Sequence, residues 1–245
     1  MTSFKDHPRI NHQYFKQISD EVNLTFLADN QDKFKPDELV SLRLDIKNVG
    51  KVHARIFEFN TETYYRKNMK TFDTTIDLDG LESTVNKTFD YSSLPANVMV
   101  RKTFEFPELN GKVGLFIVEF VGNGRSARAV IKKGSLSLIF RSTVAGHLLY
   151  ILDDKKEICK GGDAQDDKTG VFFEKKFYDA DKEKGTIFIP YGKSQVADKI
   201  IMKHGTFAQM GEFTRKTEEY SFNCTFFLNG EQILVGNSAQ IIIRP

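Results

Sequence analysis

The chain has 245 residues, and its 35 lysines and arginines nearly balance its 33 aspartates and glutamates, which leaves a formal net charge of +2. Because acidic and basic residues are interleaved along the whole sequence, the composition argues against a dedicated nucleic-acid binder and against a polybasic protein of the membrane surface. Two cysteines are too few for a disulfide framework or for a cysteine-rich zinc site.

No apolar stretch approaches the ~18 residues that indicate a membrane-spanning helix. The first eight residues also lack the apolar core of a signal peptide. With 40% apolar residues, the chain is long enough to form one large domain or two ordinary ones.

The first predicted element is a short helix in an N-terminal leader, residues 1–21. Apolar residues recur here at the intervals of three and four that place side chains on one helix face. They are Ile10, Tyr14, Phe15, Ile18 and Val22.

Beyond residue 22 the dominant pattern is an alternation of apolar and polar residues, which places successive side chains on opposite faces of a β-strand. In the run Leu39–Ile46 only the even-numbered positions are all apolar, so we expect one buried and one wet face. Further strand-like runs lie at 52–59, 103–106, 113–121, 127–131, 136–140, 148–152, 171–178, 186–189, 199–203, 220–228 and 239–243. The spacing of Val196, Ile200 and Ile201 also fits a short helix after Ser194, but we favour the strand at 199–203.

Turn signals separate these runs. Asn48–Lys51 contains Asn and Gly, which tolerate the positive φ of a tight turn, and it predicts a hairpin between the first two strands. Gly122-Asn123-Gly124 predicts a second hairpin. The most polar stretches, 60–86 and 153–170, are expected to be long loops.

Short strands with a turn signal about every ten residues favour antiparallel sandwiches over alternating βα units. A boundary is suggested at Lys132–Ser135, between two strong strand runs, and each half then has the size of one seven-stranded sandwich. The predicted fold class is all-β. We expect two tandem antiparallel β-sandwiches at 22–134 and 135–245, after the leader.

The 22 phenylalanines supply the aromatic volume of a chain that has no tryptophan. Within each strand they keep to one parity, which predicts that they fill the two sandwich cores and do not form a ligand-binding face. The positions concerned are Phe57 and Phe59, Phe104 and Phe106, Phe116 and Phe120, and Phe226.

Motifs for catalysis or cofactor binding fail when their spacing is checked. Gly192-Lys193-Ser194 is like the end of a phosphate-binding loop, but Ile187 stands where the loop needs its first Gly. The acidic run 179–183 is like a calcium loop, but Lys184 and Pro190 occupy the Gly and Glu positions. The five histidines never pair at metal-ligand spacing. We therefore predict no cofactor, no metal site and no catalytic residue, although a Cys/His pair that meets only in the fold stays open.

Two covalent features depend on where the protein resides. Cys159 and Cys224 permit a single disulfide, but the sequence does not establish that their α-carbons come within bonding reach. Asn23, Asn86 and Asn223 begin N-glycosylation sequons, which matter only in a chain that is secreted by a glycosylating cell.

Several of these runs resemble domains of the alpha-2-macroglobulin superfamily. The segment Phe34-Lys35-Pro36-Asp37-Glu38-Leu39-Val40-Ser41-Leu42 resembles the turn and strand that open an MG2-type macroglobulin domain, with Asp37 in place of the usual Gly. Gly124–Ile131 resembles the last strand of such a domain in the bacterial-like branch. The segments 145–153 and 178–190 resemble an MG3-like module, with 218–245 as its closing strands and Arg244-Pro245 as a junction to a further domain.

This resemblance implies macroglobulin or immunoglobulin-like sandwiches without the superfamily's thioester motif, because no Cys precedes Gly230-Glu231-Gln232. It implies non-catalytic scaffold domains of a large protein engaged in protease trapping or surface defence. It also implies an extracellular or cell-surface location, contacts with neighbouring domains of the same polypeptide, and proteases or other proteins as partners. We expect no nucleic-acid partner and no membrane span.

A second hypothesis is a stand-alone adhesin or a carbohydrate- or protein-binding sandwich. Tyr64, Tyr65 and Arg66 form the best candidate patch, with Tyr91 as a further exposed aromatic, because such side chains stack on sugar rings or partner side chains. The half-buried end of a strand explains the same residues equally well. An enzyme with dispersed catalytic residues is the third and least favoured hypothesis.

Overall fold

The computed structural model describes residues 12–162, 164, 168–218, 223–236 and 238–244. The first eleven residues of the predicted leader, the start of the predicted strand at Tyr220 and the predicted junction residue Pro245 lie outside these ranges. The helices are α1 (His12–Asp20) and α2 (Thr61–Asn68). In this part of the chain no helix is long and apolar enough to cross a membrane.

The strands of the first half, in chain order, are β1 (Asn23–Phe26), β2 (Lys33–Phe34), β3 (Val40–Lys47), β4 (Lys51–Phe59), β5 (Val85–Asp90), β6 (Val100–Phe106), β7 (Gly114–Gly122) and β8 (Arg125–Lys133). Those of the second half are β9 (Ser137–Ser142), β10 (Gly146–Leu152), β11 (Thr169–Phe173), β12 (Lys176–Asp179), β13 (Ile187–Pro190), β14 (Val196–His204), β15 (Phe207–Arg215), β16 (Thr225–Leu228) and β17 (Ile241–Arg244).

Strands β1–β8 form a first unit of two sheets that pack face to face. One sheet has the order β1-β3-β6, and the other has the order β2-β8-β7-β4-β5, with only the short β2–β8 pair parallel. Alternate apolar residues of both sheets fill the space between them, and each fully buried aliphatic or phenyl side chain contributes about 1.5–3 kcal/mol. This core includes Val40, Leu42, Leu44, Ile46, Val52, Ile56, Phe104, Phe106, Phe116, Val118 and Phe120.

Strands β9–β15 form a second unit with the same plan. A three-stranded sheet of order β13-β10-β9 faces a four-stranded sheet of order β12-β11-β14-β15. Its core contains Leu149, Ile151, Val171, Phe173, Ile187, Ile189, Ile200, Met202 and Phe213. The all-β sandwich fold with a short N-terminal helix is therefore confirmed.

The predicted hairpin at Asn48–Lys51 is wrong. Asn48 has a positive φ of 57°, as the turn requires. However, β3 pairs with β1 and β6, whereas β4 pairs with β5 and β7, so the turn carries the chain from one sheet to the other. The hairpin at Asn123-Gly124 is confirmed, since β7 and β8 pair in register up to Gly122 and Arg125.

The stretch 60–86 is not only loop, because it contains α2. The Asn60 side chain caps this helix by accepting a hydrogen bond from the Thr63 N–H at 2.9 Å, and Arg66 forms an ion pair with Glu62 one turn away. A side-chain cap of this kind begins a helix, and an ion pair at this spacing stabilises one. The stretch was expected to be a loop because its composition is polar.

The end of the chain is not part of the second sandwich. Among the described strands, β16 and β17 pair only with each other, from Thr225↔Arg244 to Leu228↔Ile241. The expectation that residues 218–245 close the second sandwich is therefore not met, because β14 and β15 already close it. The predicted domain limits 22–134 and 135–245 stay a prediction.

The phenylalanine pattern is confirmed only in part. Phe104, Phe106, Phe116 and Phe120 do fill the first core. Phe57 and Phe59 lie on the opposite face of β4 and pack outside that core. Phe226 is 68% exposed on β16.

Candidate interaction surfaces

The two units pack against each other through the outer faces of their larger sheets. Side chains of β4, β7 and β8 that point away from the first core meet side chains of β11, β14 and β15 that point away from the second. The buried members of this shared interface are Phe57, Tyr65, Phe72, Leu78, Leu115, Ile117, Ile201 and Ala208. Strand β7 lies between this interface and the first core, which is why it is buried along nearly its whole length.

Helix α2 of the first unit contacts the second unit through hydrogen bonds and an ion pair. The Thr61 hydroxyl accepts a hydrogen bond from the Ala208 N–H at 2.7 Å, and Glu62 forms an ion pair with Lys203 at 2.7 Å. Burial opposes ionisation of Glu62, but hydrogen bonds and charge from Lys203 and Arg66 outweigh it and keep its pKa below the ordinary value. Lys199 Nζ donates to the Met69 carbonyl at 2.8 Å.

The predicted binding residues Tyr64, Tyr65 and Arg66 lie in helix α2. Tyr65 is only 6% exposed and belongs to the shared interface, so it offers no ring face to a sugar. Tyr64 is half-buried and packs edge-on against Phe72 with ring centroids 4.9 Å apart. The Arg66 guanidinium lies 4.7 Å from the centre of the Phe172 ring. The structure places these three residues together, where they form part of the contact between the first and the second unit.

Tyr91 is half-buried as well. Its ring meets Phe104 edge-on at 6.3 Å, and Lys102 Nζ lies 5.5 Å from its centre. Burial raises the pKa of its hydroxyl. Its ring is therefore engaged within the first unit and does not stand free as a stacking platform.

The second unit presents an apolar face to solvent on its three-stranded sheet. Side chains that point away from the core lie opposite one another across β9, β10 and β13, with Tyr150 beside Ile139 and Leu148 beside Phe188. Ile139 is 54% exposed and Phe188 46%. We name these four residues the outer patch. Arg141, opposite Leu148, is the charged residue at its rim.

The corresponding face of the first unit is polar. On β1, β3 and β6 the outward positions carry hydroxyl and charged side chains, including Asp45 and Arg101, which pair at 2.9 Å. Arg43 likewise pairs with Asp29. The hydrogen bond to Arg101 holds the pKa of Asp45 below its usual value. Such a face is solvated, whereas the outer patch is the kind of exposed apolar surface that marks an interaction site.

The β16–β17 ribbon also exposes apolar side chains. Phe226, Leu228, Ile241 and Ile243 lie on one of its faces, and all four are exposed. No described strand outside the ribbon pairs with either of its edges.

The two cysteines are free in the structure. Cys159 is buried beside the second core, and burial raises the pKa of its thiol to about 11. Cys224 is half-buried before the ribbon. The permitted disulfide is therefore not formed here, and a thiol with so high a pKa is a poor nucleophile at neutral pH.

The sequon asparagines lie far apart along the chain. Asn86 on β5 and Asn223 before the ribbon are exposed, while Asn23 at the start of β1 is half-buried and accepts a hydrogen bond from the Thr25 hydroxyl at 2.6 Å. Their glycosylation stays a prediction. Across the ranges that the structure describes, no three His, Cys, Asp or Glu residues are grouped so as to hold a metal ion.

Comparison with known proteins finds a similarity for most of the first unit. Residues 52–134 match a family model described as the AbpF first immunoglobulin-like domain. The first unit is thus similar to an immunoglobulin-like domain. Actin-binding protein F of Dictyostelium discoideum is 33% identical over 239 residues, which is 96% of this chain and 10% of that protein. The chain thus spans about a tenth of the length of that relative.

The search of solved structures found similarities to two further proteins. The NIE-MG1 domains of Escherichia coli alpha-2-macroglobulin are 12% identical with a TM-score of 0.43, over 78% of this chain and 97% of that chain. The class 5 fimbriae chaperone CfaA is 12% identical with a TM-score of 0.30, over 91% of this chain and 99% of that chain. At these values neither structure supports an argument about function, and the MG2 and MG3 assignments stay predictions.

The sequence analysis predicted neither the shared interface nor the outer patch. The shared interface had a signal in the run Gly114-Leu115-Phe116-Ile117-Val118, which is apolar at consecutive positions and so indicates a strand buried on both faces. The outer patch had none, because its residues come from three strands whose partners and facing are set only by the tertiary fold.

Proposed function

We propose that this chain is a rigid two-unit immunoglobulin-like segment that binds actin through the outer patch. The observation that carries the proposal is the contrast between the two three-stranded sheets. The first presents ion pairs to solvent, and the second presents Ile139, Leu148, Tyr150 and Phe188. The similarity to a protein named for actin binding supplies the partner.

The shared interface supports a rigid segment and not a flexible pair. Its aromatic and aliphatic side chains are as buried as those of either core, and the hydrogen bond from Ala208 to Thr61 crosses it. An interface that is large and apolar suppresses the relative motion that tandem domains otherwise show. The outer patch is therefore presented at a fixed orientation to the rest of the polypeptide.

The test is co-sedimentation of the chain with actin filaments over a range of actin concentrations. We expect the wild-type chain to pellet with actin and the double variant Ile139→Glu/Phe188→Glu to bind at least about tenfold more weakly, since two apolar contacts are replaced by buried charge. Circular dichroism checks that the variant is folded, which is expected because both side chains already face solvent.

The matched control places the same two charges on the polar face of the first unit, as Thr25→Glu/Thr103→Glu. This variant should bind actin within about twofold of wild type. Failure of the wild-type chain to pellet with filaments refutes actin binding by this segment. Equal loss in both double variants refutes the outer patch as the site.

The protease-trapping scaffold and the carbohydrate-binding sandwich stay predictions of the sequence. No contact among the described residues supports either hypothesis. We propose no catalytic role for the chain, and the buried, high-pKa thiol of Cys159 agrees with that proposal.

A further inference from the structure

The edge strand β9 of the second unit is open along its outer side. It lies at the end of the sheet β13-β10-β9, and no described strand pairs with its other side. Its last four residues are all exposed. The other edge strand of this sheet, β13, ends at Pro190, and proline or lysine on an edge strand is a common means of preventing further pairing. Strand β9 contains neither residue type.

The side chains of β9 also lack cover. Phe140 points into the second unit, where its ring meets Phe213 edge-on at 5.2 Å, yet it is 44% exposed. Ile139 points the other way and is 54% exposed. Helix α2 covers β15 at Ala208, near the start of that strand, whereas Phe213 lies near its end, so the middle of β9 stays open. An open edge with apolar side chains on both faces is suited to pairing with another strand.

The main-chain hydrogen bonds indicate which residues of β9 have free groups. Thr143, just beyond β9, donates its N–H to the Gly146 carbonyl on β10 at 2.7 Å. Because successive residues of a strand direct their main-chain groups to alternate sides, the odd-numbered residues of β9 bond to β10. The even-numbered residues therefore direct their N–H and carbonyl groups to the open side. They are Leu138, Phe140 and Ser142.

We propose that β9 pairs with β9 of a second copy of this chain, antiparallel and centred on Phe140. In this register Phe140 exchanges main-chain hydrogen bonds with the second copy's Phe140, and Leu138 exchanges them with the second copy's Ser142. All three residues with free groups are used, and such a two-fold interface closes on itself. The two phenyl rings, each exposed in the single chain, then cover each other across the axis.

A register centred on Ile139 would leave part of this edge unpaired. It would set Leu136 opposite the second copy's Ser142. However, the Leu136 N–H already donates to the Gln209 side chain at 2.9 Å. Fewer main-chain groups are therefore free to pair in that register than in the one centred on Phe140.

The charged residue of β9 favours the same choice. Centred on Ile139, the pairing would set Arg141 against Ser137, whose hydroxyl accepts a hydrogen bond from the Lys156 ammonium group at 3.2 Å. Two positive charges would then be brought together. Centred on Phe140, it places Arg141 opposite the second copy's Ile139, which the aliphatic part of the arginine side chain covers.

The occupant of this edge is a second copy because the free groups and exposed side chains of β9 complement one another without any other sequence. The interface is a single strand edge with its flanking side chains. It is therefore small and reversible, with a dissociation constant on the order of 10⁻⁴ M, and the chain is a monomer in dilute solution. Pairing requires no actin, so this inference goes beyond the proposed function and does not depend on it.

Sedimentation equilibrium of the intact chain tests the pairing. We expect the average mass of the wild type to rise from one chain towards two as its concentration increases from about 10 μM to about 500 μM. Phe140→Glu sets like charges opposite each other and should weaken dimerisation at least about tenfold. The matched control, Phe188→Glu on β13, makes the same substitution at a phenylalanine that is 46% exposed and should dimerise within about twofold of wild type.

Ser142→Pro tests the main-chain bonds by themselves. It removes an N–H that faces the open side and leaves those that bond to β10, so the variant should fold and dimerise about fivefold or more weakly. Circular dichroism checks the fold of each variant. Because Ser142→Pro does not alter the ring of Phe140, it keeps the test decisive if Phe140→Glu disturbs the packing against Phe213.

Disulfide trapping tests the register. In a Cys224→Ser background, Ile139→Cys and Arg141→Cys are made as separate chains. In the proposed register these positions face each other in a non-hydrogen-bonded pair, whose α-carbons lie about 4.5 Å apart and so within disulfide reach. We expect a mixture of the two chains to form a disulfide-linked dimer faster than either chain alone.

Three results would overturn the proposal. The first is a wild-type chain whose mass does not change with concentration. The second is equal weakening by Phe140→Glu and Phe188→Glu, which would separate dimerisation from β9. The third is cross-linking of the Ile139→Cys chain alone as fast as of the mixture, which would contradict the pairing centred on Phe140.

Discussion

His147 is the buried ionisable side chain whose surroundings most clearly require one protonation state. It is fully buried between the rings of Tyr191 and Phe213, whose centroids lie 4.9 and 5.4 Å away. Its Nε2 accepts the N–H of Lys216 at 3.0 Å, which ties the segment after β15 to β10. An accepting Nε2 must be unprotonated. Burial, together with the charges of Lys216 and Arg215, lowers the pKa of His147.

We therefore expect the free energy of unfolding to fall as the pH drops below about 6.5. The unfolded chain binds a proton at His147 near that pH, whereas the folded chain resists until its own, lower pKa is reached. The contribution of this group is thus fully present above pH 6.5. It is lost at up to about 1.4 kcal/mol per pH unit between the two pKa values.

Urea unfolding followed by circular dichroism at pH 8, 7, 6 and 5 measures this loss. The variant His147→Gln keeps a hydrogen-bonding amide but cannot titrate, so its free energy of unfolding should change less over the same range. His53 and His204 remain in both proteins, and the difference between the two profiles belongs to position 147. Parallel profiles would show that His147 is not responsible.

At the scale of elements, the β16–β17 ribbon differs from every strand of the two cores. Phe226 on β16 is 68% exposed, and Phe116 on β7 is completely buried. We expect Phe116→Ala to lower the free energy of unfolding by about 3–5 kcal/mol, because it removes packed volume from a core. We expect Phe226→Ala to change it by less than about 0.5 kcal/mol, because exposed positions rarely matter.

Chemical unfolding at a single pH measures the free energy of unfolding of both variants, each of which replaces a phenylalanine with alanine. The result tests whether the ribbon belongs to a sandwich core. If Phe226→Ala were as destabilising as Phe116→Ala, the ribbon would have to pack as part of a sandwich, as the sequence pattern first suggested.

Alternation along the chain predicted where strands lie, but it could not predict which strands pair. The run Leu39–Ile46 was recognised because its even positions must face a core. The same property says nothing about the sheet that the next strand joins, and so Asn48–Lys51 was mistaken for a hairpin. Helix α2, Thr61–Asn68, was not predicted because it is short and its exposed side is polar. Its contacts with β14 and β15 stabilise it, and these exist only in the folded chain.

The candidate sites were harder to predict than the fold. The sequence analysis expected Tyr65 to be an exposed aromatic, but its ring is covered by residues more than forty positions away, such as Leu115 and Ala208. Sites of this kind depend on how domains pack.

At the scale of the whole molecule, the described residues form three buried apolar clusters, and one of them joins the two units. Ile117 on β7 and Ile201 on β14 are both buried in it. Alternate residues of the same strands, such as Val118 and Ile200, belong to the separate cores. This arrangement allows the interface to be disrupted without touching either core.

We expect Ile201→Asp to separate the units, because an unpaired carboxylate in an apolar interface costs several kcal/mol. The wild-type chain should unfold in one transition in urea, and the variant in two, with a larger radius of gyration in small-angle X-ray scattering and faster proteolysis between β8 and β9. Ile139→Asp places the same charge on the exposed outer patch and should keep the wild-type radius and the single transition. A variant at Ile201 with an unchanged radius and one transition would mean that the two units are held together by α2 and the chain connection and do not need the apolar interface.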